Sequence, residues 1–250
     1  MTNESETMDD EDHEADHDEQ LELALADIHE AFEAGLLERA ATLIDALAQL
    51  RGDADPSVQF ERAALVWERE GPESAVRLLD ALLIDFPDFA DAHYARALAC
   101  EEVEDFEGMR HHFLEVLRLD TELDRELGLA GEGELDFIEQ TAEETIAGVP
   151  EQFRELLRDV PIVLEPRPHP DLVAEGFDPR ALGLFEGLEQ ADQADGVHMA
   201  PTRIVLFHAN LLADFPDPED LAEEIEITLL HEIGHFFGLG EDDVERLGLA

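Results

Sequence analysis

The stretch TLLHEIGHFFGLGE, residues 228–241, sets His231, Glu232 and His235 in an H-E-x-x-H arrangement, with Gly238, Gly240 and Glu241 beyond. His231 and His235 stand four apart, so on a helix both imidazoles leave the same face and can meet one metal ion, at about 2.0–2.1 Å if that ion is zinc. Glu232 is turned about 100° from His231 and can reach a water on the metal without being a ligand itself. That division of labour suits metal-assisted hydrolysis of a peptide bond. Zinc lowers the pKa of the water and polarises the carbonyl, while the glutamate takes the proton and later delivers it to the leaving amine.

A tetrahedral site with one open position needs a third protein ligand. Gly238 and Gly240 can reverse the backbone after His235 and return the next residues toward the metal. Glu241 follows His235 by six residues, the third-ligand spacing of H-E-x-x-H-x-x-G-x-x-H/D peptidases, and Asp242 is the alternative. A methionine turn of the metzincin kind is not expected, because only nine residues follow Glu241. Two histidines on a helix can also serve packing or capping; the glutamate between them and the glycine and acid after them favour the metal reading.

The elements that must position this set are legible around it. Asp217 reads as an N-cap, Pro218 as the first helical residue, Glu219 and Asp220 as first-turn acids and Gly238 as a stop, which predicts a helix over 218–237. PIVLEP (161–166) is a short β-rich run between prolines, and PTRIVLFHANLL (201–212) offers a second strand centred on Ile204 to Phe207. DFIEQTAEETIAGVPEQFRELLRDV, from Asp136, reads as one or two helices broken near Gly148 and Pro150.

Upstream, apolar residues recur at three- and four-residue spacing from Leu21 to about Asp120, with breaks near Gly35, Gly52, Gly71, Pro87 and Glu104. The breaks recur near the 34-residue period of helix-turn-helix repeats. ADAHYARALACEEVEDFEGMRHHFLEVLRLD (90–120) resembles a tetratricopeptide repeat, with Tyr94, Ala97, Leu98 and Ala99 opposite Phe106, Phe113, Val116 and Leu117. Residues 57–88 read as a second unit and 21–52 as a weaker first. His111 and His112 are adjacent and cannot share a helix face, so they are expected in surface or packing roles. TELDRELGLAGEGEL (121–135) has glycine punctuation and no strong period, and is expected to be a linker.

Composition limits the rest. The 250 residues carry 65 acidic side chains against 15 basic ones, all arginine, for a formal net charge of −50. Such a field repels nucleic acid and anionic lipid, so neither is expected as a partner. A lysine-free acidic surface also resembles adaptation to high salt, where screening relieves self-repulsion. Residues 1–19 are almost wholly acidic or polar and are expected to be a disordered tail. They have no basic and apolar regions of the signal-peptide kind, and no run of 18 apolar residues occurs, so a cytoplasmic location is expected. The single cysteine, Cys100, lies in an apolar helical pattern and reads as a buried hydrophobe.

The blocks VPEQFRELLRDVPIVLEPRP (149–168), LGLFEG (182–187), RIVLFHANLL (203–212) and EEIEITLLHEIGHFFGLGEDDVERLG (223–248) together resemble the minimal zincin-like metallopeptidase family of bacteria, over about residues 137–250. The resemblance implies a small sheet beside the motif helix, and zinc held by His231, His235 and an acid after the glycine turn. That acid is commonly aspartate in the family, where this chain has Glu241. The expected fold is therefore α+β: a tail over 1–19, an all-α tetratricopeptide-like solenoid over 20–120, a linker over 121–135 and a zincin-like domain over 136–250. The expected function is zinc-dependent hydrolysis of a peptide or protein substrate, with Glu232 as general base and the repeats recruiting a partner or the substrate. The competing reading is an inactive repeat adaptor with a structural or vestigial zinc site.

Overall fold

The structure, a computed structural model, describes residues 20–187 and 202–240. The expected tail over 1–19 lies outside them. The chain divides into two compact units, Met1–His112 and Phe113–Ala250. Among the described residues no helix is long and apolar enough to cross a membrane.

Among the described residues the first unit's elements are all helices: α1 (residues 20–33), α2 (Leu37–Arg51), α3 (Pro56–Glu70), α4 (Pro72–Asp85), α5 (Ala90–Glu102) and the start of α6 (Phe106–Leu127). The helices end where the sequence reading put its breaks. Gly35, Gly52 and Gly71 take positive φ and turn the chain at no steric cost, and Asp55 caps α3 by accepting from the Ser57 amide (3.0 Å). From α2 to α5, consecutive helices pack on one another. Ile28, Ile44, Leu47 and Val58 form one buried cluster, and Ala63, Ala75, Leu79, Leu82 and Ala92 another. The alanines let neighbouring backbones approach closely. Cys100 is buried, as its apolar setting suggested.

The expected linker over 121–135 is mostly helix. α6 runs on to Leu127 and α7 (Glu132–Gly148) begins soon after, which leaves 128–131 between them. The stretch lacks an apolar period, but Arg118 pairs with Glu115 and with Glu122 at three- and four-residue spacing, the kind of local support that sustains an exposed helix.

In the second unit α7 and α8 (Glu151–Leu157) precede a three-stranded sheet of β1 (Ile162–Glu165), β2 (Gly183–Glu186) and β3 (Arg203–Phe207), in the order β1-β3-β2. β1 and β3 pair in parallel, Ile162 opposite Ile204; β2 and β3 pair antiparallel, Phe185 opposite Ile204. The short helices α9 (Pro170–Glu175) and α10 (His208–Asp214) flank the sheet in sequence, and α11 (Pro218–Phe236) carries the motif. Ile204 and Leu206 of β3 share a core with Ile225, Leu229, Ile233 and Phe236 of α11 and Ile138 of α7. Those four α11 residues recur at four, four and three positions, which fixes one helix face against the sheet and turns the next toward the groove described below. The α+β class read from the sequence is the class observed.

Candidate active site

α11 starts as its sequence dictates, with the Asp217 carboxylate accepting from the Glu219 amide (2.8 Å) and Pro218 in the first turn. At its other end Gly238 takes φ +78°, and the chain reverses in a Schellman cap: the Gly238 amide donates to His235 O (2.9 Å) and the Leu239 amide to Gly234 O (3.0 Å). This reversal carries the Leu239 carbonyl to 3.1 Å from His235 Nδ1. With Nδ1–H donated there, the lone pair of His235 sits on Nε2.

That nitrogen faces His231 Nε2 at 2.9 Å, with the rings nearly perpendicular. Two tetrahedral ligands on zinc would stand about 3.3 Å apart, so the pair is within a few tenths of an ångström of a shared-ion geometry. The donor chemistry fits zinc as well: two imidazoles, one with its tautomer set by a backbone carbonyl. Glu232 is 7% exposed and borders the same groove.

The groove, about 700 Å³, runs between β2 and α11 and is lined by Leu184, Gly187, Glu224, Thr228, His231 and Glu232 among others. β2 lies very close to the helix. A Cβ on Gly183 would stand 2.7 Å from Thr228 Cγ2 and 3.2 Å from Glu232 Oε1, so only glycine fits there with Glu232 in place. Among the described residues, two larger concavities in this unit are lined without any histidine or cysteine, which leaves this groove as the chemical one among those three.

A buried polar network holds the segment that feeds β2. Arg167, just after β1, donates to Asp120 (3.2 Å) and Asp124 (2.7 Å) of α6 and to Asn210 of α10. Arg180 donates to Asp120 (2.9 Å), and the Asn210 amide donates to the carbonyls of Pro179 (3.0 Å) and Ala181 (2.6 Å). Residues 179–181 are thus tied on both sides immediately before Gly183. None of these five side chains stands out in the sequence, because their partners lie 29 to 60 residues away. Across the sheet, Arg203 of the central strand bridges Glu165 (2.7 Å) and Glu186 (2.5 Å) on its two neighbours.

Of the sequence-predicted site residues, His231, Glu232 and His235 are brought together in this groove. Glu241 and its alternative Asp242 lie outside the described residues. A family model described as Zincin-like metallopeptidase matches residues 157–249, which take in all three strands and the motif helix. The C-terminal part of the chain is therefore zincin-like, and the match supports a metallopeptidase with a zinc cofactor and peptide or protein substrates. A search of curated proteins finds no match to the chain.

Proposed function

We propose that this chain is a zinc-dependent peptidase whose general base is Glu232. The observation that carries the reading is the convergence of the His231 and His235 Nε2 atoms at 2.9 Å beside a buried Glu232, in a groove bordered by a strand edge. His231 and His235 would hold zinc, with Glu241 as the third ligand and Asp242 as the alternative. When bound, zinc supplies a Lewis acid that polarises the scissile carbonyl and acidifies water.

The chain's own residues do the rest. Leu239 O keeps His235 in the ligating tautomer. Glu232 accepts the proton of the attacking water on its carboxylate and returns it to the departing amine. β2 pairs with β3 on one side, and among the described residues no strand pairs with its other edge. An extended peptide can add there by main-chain hydrogen bonds, which would lay its backbone along the groove. The N-terminal helical pairs act as tetratricopeptide-like repeats that recruit a partner or deliver substrate, in the cytoplasm.

Glu232→Gln tests the assignment, because it removes the base and keeps both imidazoles. Cleavage of an unstructured casein-like protein should fall by about 10²–10⁴-fold, with zinc content unchanged by elemental analysis. Undiminished cleavage would sink the peptidase reading in favour of a bound but idle metal.

A further inference from the structure

Glu224 lines the groove on the same stripe of α11 as the histidine pair, since residues 224, 228, 231 and 235 recur at four, three and four positions. Its carboxylate is oriented: Thr228 Oγ1 donates to Glu224 Oε1 at 3.2 Å. Thr228 is itself buried and in close contact with the backbone of Gly183, so the orienting hydroxyl is held by the strand. Among the described residues no arginine lines the groove; its acidic side chains are Glu224 and Glu232, and its lining includes the apolar Phe177, Leu184 and Ile227. An oriented carboxylate among apolar walls matches a long side chain with an aliphatic stem and a cationic head.

The spacing along the helix gives the position of that side chain in a substrate. Glu224 precedes His231 by seven residues, roughly 10 Å at the rise of an α-helix. An extended peptide covers that distance in about three residues. The net charge of −50 would draw any cationic peptide toward the protein, but it carries no information about position. Glu224 supplies the position.

Resting on the peptidase reading above, we propose that Glu224 is a specificity-determining residue that selects peptides carrying arginine or lysine about three residues from the cleaved bond. The test uses the full-length zinc-loaded protein and short peptides of identical composition and net charge. Each holds one arginine, moved from two to four residues away from the scissile bond, on either side, to the far terminus. Cleavage is read as kcat/KM by mass spectrometry, and binding of the same labelled peptides to Glu232→Gln by fluorescence anisotropy.

One arginine position near the bond should exceed the terminal position by roughly tenfold or more in both readouts. Glu224→Gln should erase that preference, bringing both readouts for the favoured peptide down to those for the peptide with terminal arginine. Glu224→Arg should favour glutamate at the same position. Cleavage with no positional preference, or a preference that survives Glu224→Gln, overturns the inference and leaves the peptidase reading standing. Positional binding without cleavage of any peptide supports the role of Glu224 and removes the peptidase reading instead.

Discussion

At the scale of single residues, the proposed zinc site needs one more donor than the histidine pair, and the described residues hold no group of three possible ligands. Two imidazoles bring zinc to a helix but do not complete a tetrahedral set. Glu241 has the spacing of a third ligand and Asp242 the shorter side chain that is usual in the resembled family, so the choice turns on how far the chain winds after Gly238. Under the proposed assignment Glu241→Ala is expected to weaken zinc binding at least tenfold more than Asp242→Ala, because there only the former would remove a ligand. Zinc titration against a chromophoric chelator decides it, and the reverse order would move the assignment one residue along.

At the scale of elements, the groove depends on β2, and β2 depends on the network around Arg167. Arg167 and Asp120 are both buried, and removing Asp120 leaves Arg167 with Asp124 and takes from Arg180 its carboxylate partner, so the whole buried network is weakened. Asp120→Ala should cost about 3–5 kcal/mol in urea unfolding, a larger loss than that from removing the exposed pair of Arg39 with Glu30, which should fall within about 1 kcal/mol. Comparable losses from the two would mean that the network is better solvated than its burial implies.

The same elements mark what the sequence could and could not reveal. Asp217, Pro218 and Gly238 bracket α11 through local chemistry, and IVLE and RIVLF are β-rich runs, so the motif helix and two strands were legible. GLFE is four residues opening on a glycine, too short and too weakly patterned to announce a strand, although it forms one wall of the groove. The extension of α6 past Asp120 was hidden because charge pairs sustain it where an apolar stripe does not. The site's three central residues were readable because one helix carries them all; their supports were not, because they meet only in three dimensions.

At the scale of the whole molecule, pH acts on a second histidine cluster in the N-terminal unit. His93 and His112 face each other through Nδ1 at 2.9 Å, and His93 Nε2–H donates to the Pro87 carbonyl (2.9 Å), so neutral His93 accepts from His112. Burial, then the neighbouring His93, His111 and Arg96, against a smaller opposing pull from Asp80, pushes the pKa of His112 down to about 4. The unfolded chain therefore binds this proton more readily than the folded one. The group's contribution is complete above its ordinary value near 6.5 and is lost as pH falls from there toward about 4. For a half-buried ring that is on the order of 1–2 kcal/mol. His29 works in the opposite sense: its hydrogen bond to Glu61 raises its pKa, so its contribution is lost as pH rises through that raised value. Urea unfolding across this range should give a shallower dependence for His112→Asn than for the wild type; parallel curves would show that the ring is solvated in the folded state.

The contact between Leu239 and His235 has a consequence for how such a site is encoded. A metal-bound histidine is commonly steadied by a polar side chain that must itself be kept in the sequence. Here a backbone carbonyl does the steadying, and every residue type carries one. What the sequence must specify is the glycine at 238 that turns the chain, while the side chain at 239 is left to be chosen for its place in the groove wall. The orientation of the His235 ring is thus written as a bend in the chain, which is why a pattern made of two histidines, a glutamate and a glycine conveys so much of the geometry.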